Sequence, residues 1–252
     1  MTERADGFPM FPLGSVLFPH MPVALRVFED RYLAMLAQIL HDDPAEFAIV
    51  LIERGQEVGG GEQRFSHGTV AQITQLEAGE QMVGLVALGE RRVEIVSWLD
   101  EDPFPRAVVR ELPELTWDDS LQPARERAEK SVRRAIALAS EFQELQWSAD
   151  VELSDDPVAA AWQLAAIAPL GPLDQVKLLG ASTMEQLLSD VAELTGDVDT
   201  TFRPQWPDGI LIGDDPTESD EPSPFDGPDG TDGTDGTNGI VGPDGPDDPR
   251  RE

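Results

Sequence analysis

The 252-residue chain contains no cysteine. That absence excludes a disulfide framework, a thiolate zinc site and a cysteine nucleophile, and it suits a protein of the cytoplasm, the compartment expected here. Lysine is nearly missing too, with Lys130 and Lys177 the only two. Neither follows a glycine, so the Gly-Lys-Ser/Thr run of a phosphate-binding P-loop is not encoded. A Ser-Lys catalytic dyad would need one of the same two lysines, and both fall in segments that read as ordinary solvated helix. No apolar run approaches the roughly 20 residues that cross a bilayer, and the first residues show no apolar leader, so a soluble chain is the expectation. Positive charge is scarce: 18 Lys and Arg stand against 49 Asp and Glu, for a net charge of −31. A polyanion is repelled by such a field unless a local basic patch overrides it. The densest basic stretch, Arg125, Arg127, Lys130, Arg133 and Arg134, is interleaved with Glu126 and Glu129 and reads as a mixed-charge helix face. Neither nucleic acid nor an anionic membrane is expected as a partner.

Histidine is also rare, at His20, His41 and His67, and none sits in a zinc-binding spacing such as HExxH. His41 is placed to close a helix, where it suits the negative end of the dipole. The triple glycine Gly59, Gly60 and Gly61 has no following basic residue and no strand–loop–helix order, so it does not form a phosphate cradle. No metal or cofactor is expected.

What is present is enough apolar content, 40%, for a substantial core. Residues 11–40, FPLGSVLFPHMPVALRVFEDRYLAMLAQIL, open with extended runs punctuated by Pro12, Pro19 and Pro22, none of which fits inside a helix. Past Asp30, the positions Tyr32, Leu33, Met35, Leu36, Ile39 and Leu40 fall at helical spacing. Residues 46–53, EFAIVLIE, read as a buried strand, and residues 55–61 as a glycine-rich loop. Four more strands are predicted over 69–76, 81–88, 91–98 and 106–112, with turns at 77–80 and 88–90. Short connections of this kind suggest an antiparallel sheet that curls or closes.

The text turns helical near residue 120. A long amphipathic stripe covers 121–147, followed by a break at 148–154. Asp156 and Pro157 form an N-cap and N1 pair for a second helix that ends before Pro169. A third runs over 172–179 with Gly180 as its C′ residue, and Ser182 with Glu185 has capping-box spacing for a fourth, ended by Gly196. Residues 199–252 are dominated by Gly, Pro, Asp, Thr and Ser, with a near-repeat DGPDGTDGTDGTNG. Such a stretch buries too little apolar area to order itself, so a disordered acidic tail is predicted.

The Phe-Pro-rich opening followed by one helix, and the later run DPVAAAWQLAAIAPLGPLDQVKLLGASTMEQLLSDVAEL with Gln175, Leu178, Leu179, Met184, Leu187 and Leu188, together resemble the N-terminal substrate-binding domain of Lon proteases. The resemblance covers about residues 8–194. It implies an α+β fold: a β-rich pseudo-barrel of PUA-like type with one early helix over 8–115, then a helical subdomain over 118–196, with the tail from 199. It implies a stand-alone form without the ATPase and protease modules, related to S16 peptidases by family only and not an enzyme. It also implies binding of unfolded or extended protein segments, or of a protease or chaperone partner.

The candidate surface for such binding draws on the apolar residues of the Pro-rich opening: Phe18, Met21, Phe28 and Tyr32, with Phe11 and Val27 beside them. Some of these must fill the core. Two or three left exposed would form a patch able to grip extended peptide. Val58, in the glycine-rich loop, is a second candidate lip. The alternative is a pocket in the barrel that takes a small molecule or supports hydrolysis through His67, His41 or nearby carboxylates.

Overall fold

A computed structural model describes residues 7–52, 64–79 and 82–201, with side chains described as far as Gly196. The predicted tail beyond residue 201 and the loop carrying Val58 lie outside the described residues. Six strands form one mixed sheet: β1 (Phe8–Leu13), β2 (Pro22–Val27), β3 (Glu46–Ile52), β4 (Arg64–Ala78), β5 (Val83–Trp98) and β6 (Arg106–Glu111). Helix α1 (Asp30–Ile39) lies between β2 and β3 in the chain. After a single 3₁₀ turn at Asp119–Leu121 come α2 (Gln122–Ala139), α3 (Pro157–Ile167), α4 (Pro172–Leu179) and α5 (Met184–Thr201). This is the α+β arrangement expected from the sequence.

The sheet closes because β5 is long. One edge of β5 pairs with β4; along the other, its first half pairs with β2 and its second half with β6. The order β2-β5-β4-β3-β1-β6, with β6 returning to β5, closes five strands into a barrel and leaves β2 outside the closure. Register shifts at Thr69/Ala71, Ile73/Gln75 and Ile95/Ser97 supply the local bends that closure needs. Strands β1 and β3 run parallel, joined by the crossover that contains β2 and α1.

Two strands are predicted over 81–88 and 91–98, yet the chain runs straight through 88–90 as part of β5. Gly89 marks a close backbone approach here, not a turn. A Cβ at this position would lie 2.2 Å from the Phe18 carbonyl oxygen. The segment 18–21 is laced to it: His20 N–H donates to Gly89 O at 2.7 Å, and Gly89 N–H to Met21 O at 2.9 Å.

Strand β3 is apolar from Phe47 to Ile52 because it is covered on both faces. Ala48 and Val50 point into the barrel, where they meet Met10, Val70, Val93 and Ala107. Phe47 and Ile49 face the other way, into a larger core shared by α1 and the helical half. Trp162, Leu178, Leu187 and Ile136 belong to that same core, so sheet and helices bury one continuous apolar interior.

Local signals place the helices with four exceptions, one being Gly180, which is the C-cap of α4 at φ −80° and not its C′ residue. Asp156 caps α3 as its pairing with Pro157 predicts, its Oδ1 accepting from Ala159 N–H at 2.7 Å. The cap of α5 sits one residue later than read: Thr183 Oγ1 accepts from Gln186 N–H at 3.1 Å, and Gln186 Oε1 accepts from Ser182 N–H at 3.0 Å. Helix α2 stops at Ala139, not near Trp147, and Phe142 is exposed. The following residues turn back along α2, where the Arg133 guanidinium donates to the carbonyls of Ala149 and Val151. Helix α5 runs through Gly196 to Thr201. A glycine inside a helix costs about 1 kcal/mol, a cost that packing on α2 offsets here, with Thr195 Oγ1 donating to Ser131 Oγ at 2.9 Å.

Candidate functional site

The residues predicted as a binding surface divide sharply. Phe18, Met21 and Tyr32 are buried, as are Phe11 and Val27. The surface expectation is corrected at Phe18, Met21 and Tyr32, and the cause is the lacing to Gly89. With the backbone of 18–21 held against β5, Phe18 and Met21 join the interior core, and the Phe18 ring lies 6.1 Å from that of Trp162. Tyr32, on the inner face of α1, stacks on Phe11 with ring centroids 4.3 Å apart. Phe28 is the exception, with 66% of its surface exposed. Val58 lies outside the described residues.

Phe28 follows the last residue of β2, and its position follows from alternation. Val23, Leu25 and Val27 turn toward the core, while Pro22, Ala24 and Arg26 face solvent. Their partners on β5 are Leu88 for Pro22, Val86 for Ala24 and Gly84 for Arg26. One step beyond the Val27–Val83 pair stand Phe28 and Met82, the latter 45% exposed. Leu76, 41% exposed, lies on β4 opposite Leu85, on the other face of the sheet from Phe28 and Met82. Among the described residues β2 pairs with β5 alone, so its outer edge carries backbone donors and acceptors with no strand beside them.

A cleft of about 360 Å³ lies where the sheet meets the helices, lined by Pro19, His20, residues 90–92, residues 112–115, Asp156, Val158 and Trp162. Its two arginines are engaged within the fold. The Arg91 guanidinium forms a fork on Glu46, both contacts 2.7 Å, and reaches Glu111 through Nε at 2.7 Å. The hydrogen bonds to Glu46 hold Arg91 above its ordinary value against the opposing effect of burial. Arg92, only 4% exposed, donates to the carbonyls of Leu179 at 2.8 Å, Ala181 at 2.6 Å and Pro113 at 2.7 Å. It also sits 5.0 Å from the Trp162 ring centroid. Burial pulls its pKa down, yet a guanidinium stays charged in proteins. The two arginines follow the turn predicted at 88–90, yet both lie within β5: Arg91 ties it to Glu46 of β3 and Glu111 of β6, and Arg92 clamps it to the helical half. No serine, threonine or lysine lines this cleft, and Asp156 is engaged in capping α3.

The histidines lie on different elements, and His20 lines the cleft. His41 follows the C-terminus of α1, and its N–H donates to Gln38 O. His67 is on β4 opposite Glu94, its Nδ1 3.1 Å from Ser66 Oγ. The barrel interior is filled by Met10, Ala48, Val50, Val70, Val93 and Ala107 and includes neither histidine. Among the described residues no three His, Asp or Glu side chains gather as metal ligands would, and no helix is long and apolar enough to cross a membrane.

The family model described as the ATP-dependent protease La (LON) substrate-binding domain matches residues 7–196. The chain belongs to the Lon substrate-binding domain family. This Lon-type domain is 28% identical over 116 residues to Lon protease 2 of Myxococcus xanthus, a match that spans 45% of this chain and 14% of that protein. Among solved structures, the Lon N-terminal domain protein from Xanthomonas campestris superposes with a TM-score of 0.53 at 20% identity, covering 74% of this chain and 97% of that one. The N-terminal domain of Mycobacterium avium complex Lon protease gives a TM-score of 0.53 at 18% identity, covering 76% and 98%. Both share the fold of this Lon-type domain.

Proposed function

We propose that this Lon-type domain binds extended protein segments at the β2 end of its sheet, without catalysis, and delivers or holds them for a proteolytic or chaperone partner. The observation that carries the reading is Phe28, a large aromatic ring in solvent at the end of a strand whose outer edge is open among the described residues. An extended peptide laid along β2 gains main-chain hydrogen bonds from the edge and apolar contact from Phe28 and Met82. Membership in a family described as substrate-binding supports the same reading. So does the cleft chemistry, where Arg91 and Arg92 are engaged in holding the fold together.

The test is fluorescence anisotropy with a labelled apolar peptide of about ten residues, long enough to cover a strand of ordinary length. The double substitution Phe28→Ser, Met82→Ser is expected to weaken binding at least about tenfold, the usual consequence of removing an aromatic anchor. A peptide N-methylated at alternate amides, which cannot complete a ladder, should bind comparably weakly. Equal affinity for the intact protein and the double variant would place the binding surface elsewhere and sink the proposal.

A further inference from the structure

A second surface lies on the far side of the helical half and does not depend on the β2 reading. Helix α2 presents Arg127, Ser131, Arg134 and Leu138 at spacings of four, three and four residues, which puts them on one face. With Lys130 and Ala135, and with Thr195 and Gly196 of α5, they line a groove of about 240 Å³. Its floor is apolar and its wall is cationic. Thr195 and Ser131 hydrogen-bond each other and the Val191 and Ala192 carbonyls, so they are occupied in joining the helices. Arg127 and Lys130 are exposed, and no described carboxylate lies within ion-pairing distance of either. The carboxylates of α2 itself are engaged elsewhere: Glu129 pairs with Arg125 and Arg133, and Glu126 accepts from Gln122.

In a chain of net charge −31, cations beside an apolar groove without a described partner call for an explanation. Long-range repulsion does not cancel them for a docked ligand, because charges farther than the screening length of about 8 Å at physiological salt are largely masked. Charge complementarity then selects the occupant. We propose that the α2–α5 groove binds an acidic protein segment that also carries an aliphatic side chain, with Arg127 and Lys130 pairing its carboxylates and the Ala135–Leu138 floor receiving the aliphatic group. A purely apolar segment would leave the cationic wall unmatched. A nucleic acid offers no aliphatic side chain for the Ala135–Leu138 floor.

The experiment uses the full chain and a labelled nonapeptide of three Glu-Glu-Leu units, with its Gln-Gln-Leu analogue and a single-stranded RNA oligomer as comparisons. The acidic peptide is expected to bind more tightly than the neutral analogue, and its affinity to fall as salt rises. The charge reversal Arg127→Glu, Lys130→Glu should weaken it about tenfold or more, since two exposed pairs become two repulsions. Both side chains are exposed, so the variant should melt like the parent by circular dichroism. If it does not fold, Arg127→Gln, Lys130→Gln should still give a severalfold loss. Equal binding of the acidic and neutral peptides, or an affinity untouched by both variants, overturns the proposal, as does RNA binding more tightly than peptide. Because Phe28 and Met82 lie on other elements, the double serine substitution there should leave acidic-peptide binding unchanged, which separates failure at this groove from failure at the β2 face.

Discussion

Along β5 the protein buries charge: Arg92, at the seam with the helices, and Glu46 of β3 are both under one tenth exposed, with Arg91 forked onto the latter. At the end of β2 it does the reverse, leaving Phe28 and Met82 in water. The two regions differ in whether each group has found a partner. The buried Glu46 carboxylate is met by the half-buried Arg91, and the buried Arg92 guanidinium by three backbone carbonyls, so their polarity is spent inside the fold. The exposed Phe28 ring and Met82 thioether have no comparable company among the core clusters. Unusual placement with partners reads as architecture; unusual placement without them reads as a surface available to something else.

Two phenylalanines ten positions apart give the widest separation between these regions. Phe18→Ala removes a ring that is 1% exposed and packs near Trp162, and should cost about 4 kcal/mol of folding stability, the range for emptying an aromatic core site. Urea unfolding would show this as a lower midpoint at unchanged slope. Next in size is Arg92→Ala. It leaves the carbonyls of Leu179, Ala181 and Pro113 without their donor and strips the cation from the Trp162 face, an expected loss of about 3 kcal/mol. A cost below about 1 kcal/mol would mean that water replaces the guanidinium readily, and the seam would lose its claim to be a clamp.

Why some of this was legible in sequence and some was not follows from how far apart the partners are. The N-cap at Asp156 acts over three residues, and β3 declares itself by an unbroken apolar run, so both could be read locally. Gly89 could not, because what demands a glycine is the carbonyl of Phe18, which arrives from 71 residues earlier. The same holds for Arg92, whose acceptors on Leu179 and Ala181 lie 87 and 89 residues away. Two adjacent arginines look like a solvated turn until the carbonyls that receive one of them are in place. Phe18, Met21, Tyr32 and Phe28 share one apolar-rich stretch, and composition alone does not sort them. Phase within β2 does part of that work: a residue one step past Val27 falls on the outward face set by Ala24 and Arg26. The mixed-charge reading of α2 was legible for a related reason, since Glu129 meets Arg125 and Arg133 four residues away on the same helix. The groove against α5 was not, because Thr195 and Gly196 reach it from more than 55 residues further along the chain.

The smallest expected effect is the most diagnostic. Phe28→Ser should change folding stability by less than about 0.5 kcal/mol, the ordinary range for a surface position, even though it deletes the same aromatic side chain as Phe18→Ala. Exposure of 66% leaves little apolar area to lose on the folded side of the equilibrium. Stability and binding must therefore part company at this residue: peptide affinity falls while the urea midpoint stays where it was. A loss of 2 kcal/mol or more would mean that the ring is held by some part of the protein in solution. In that case the surface is already occupied, and the β2 end of the sheet belongs with the seam as architecture.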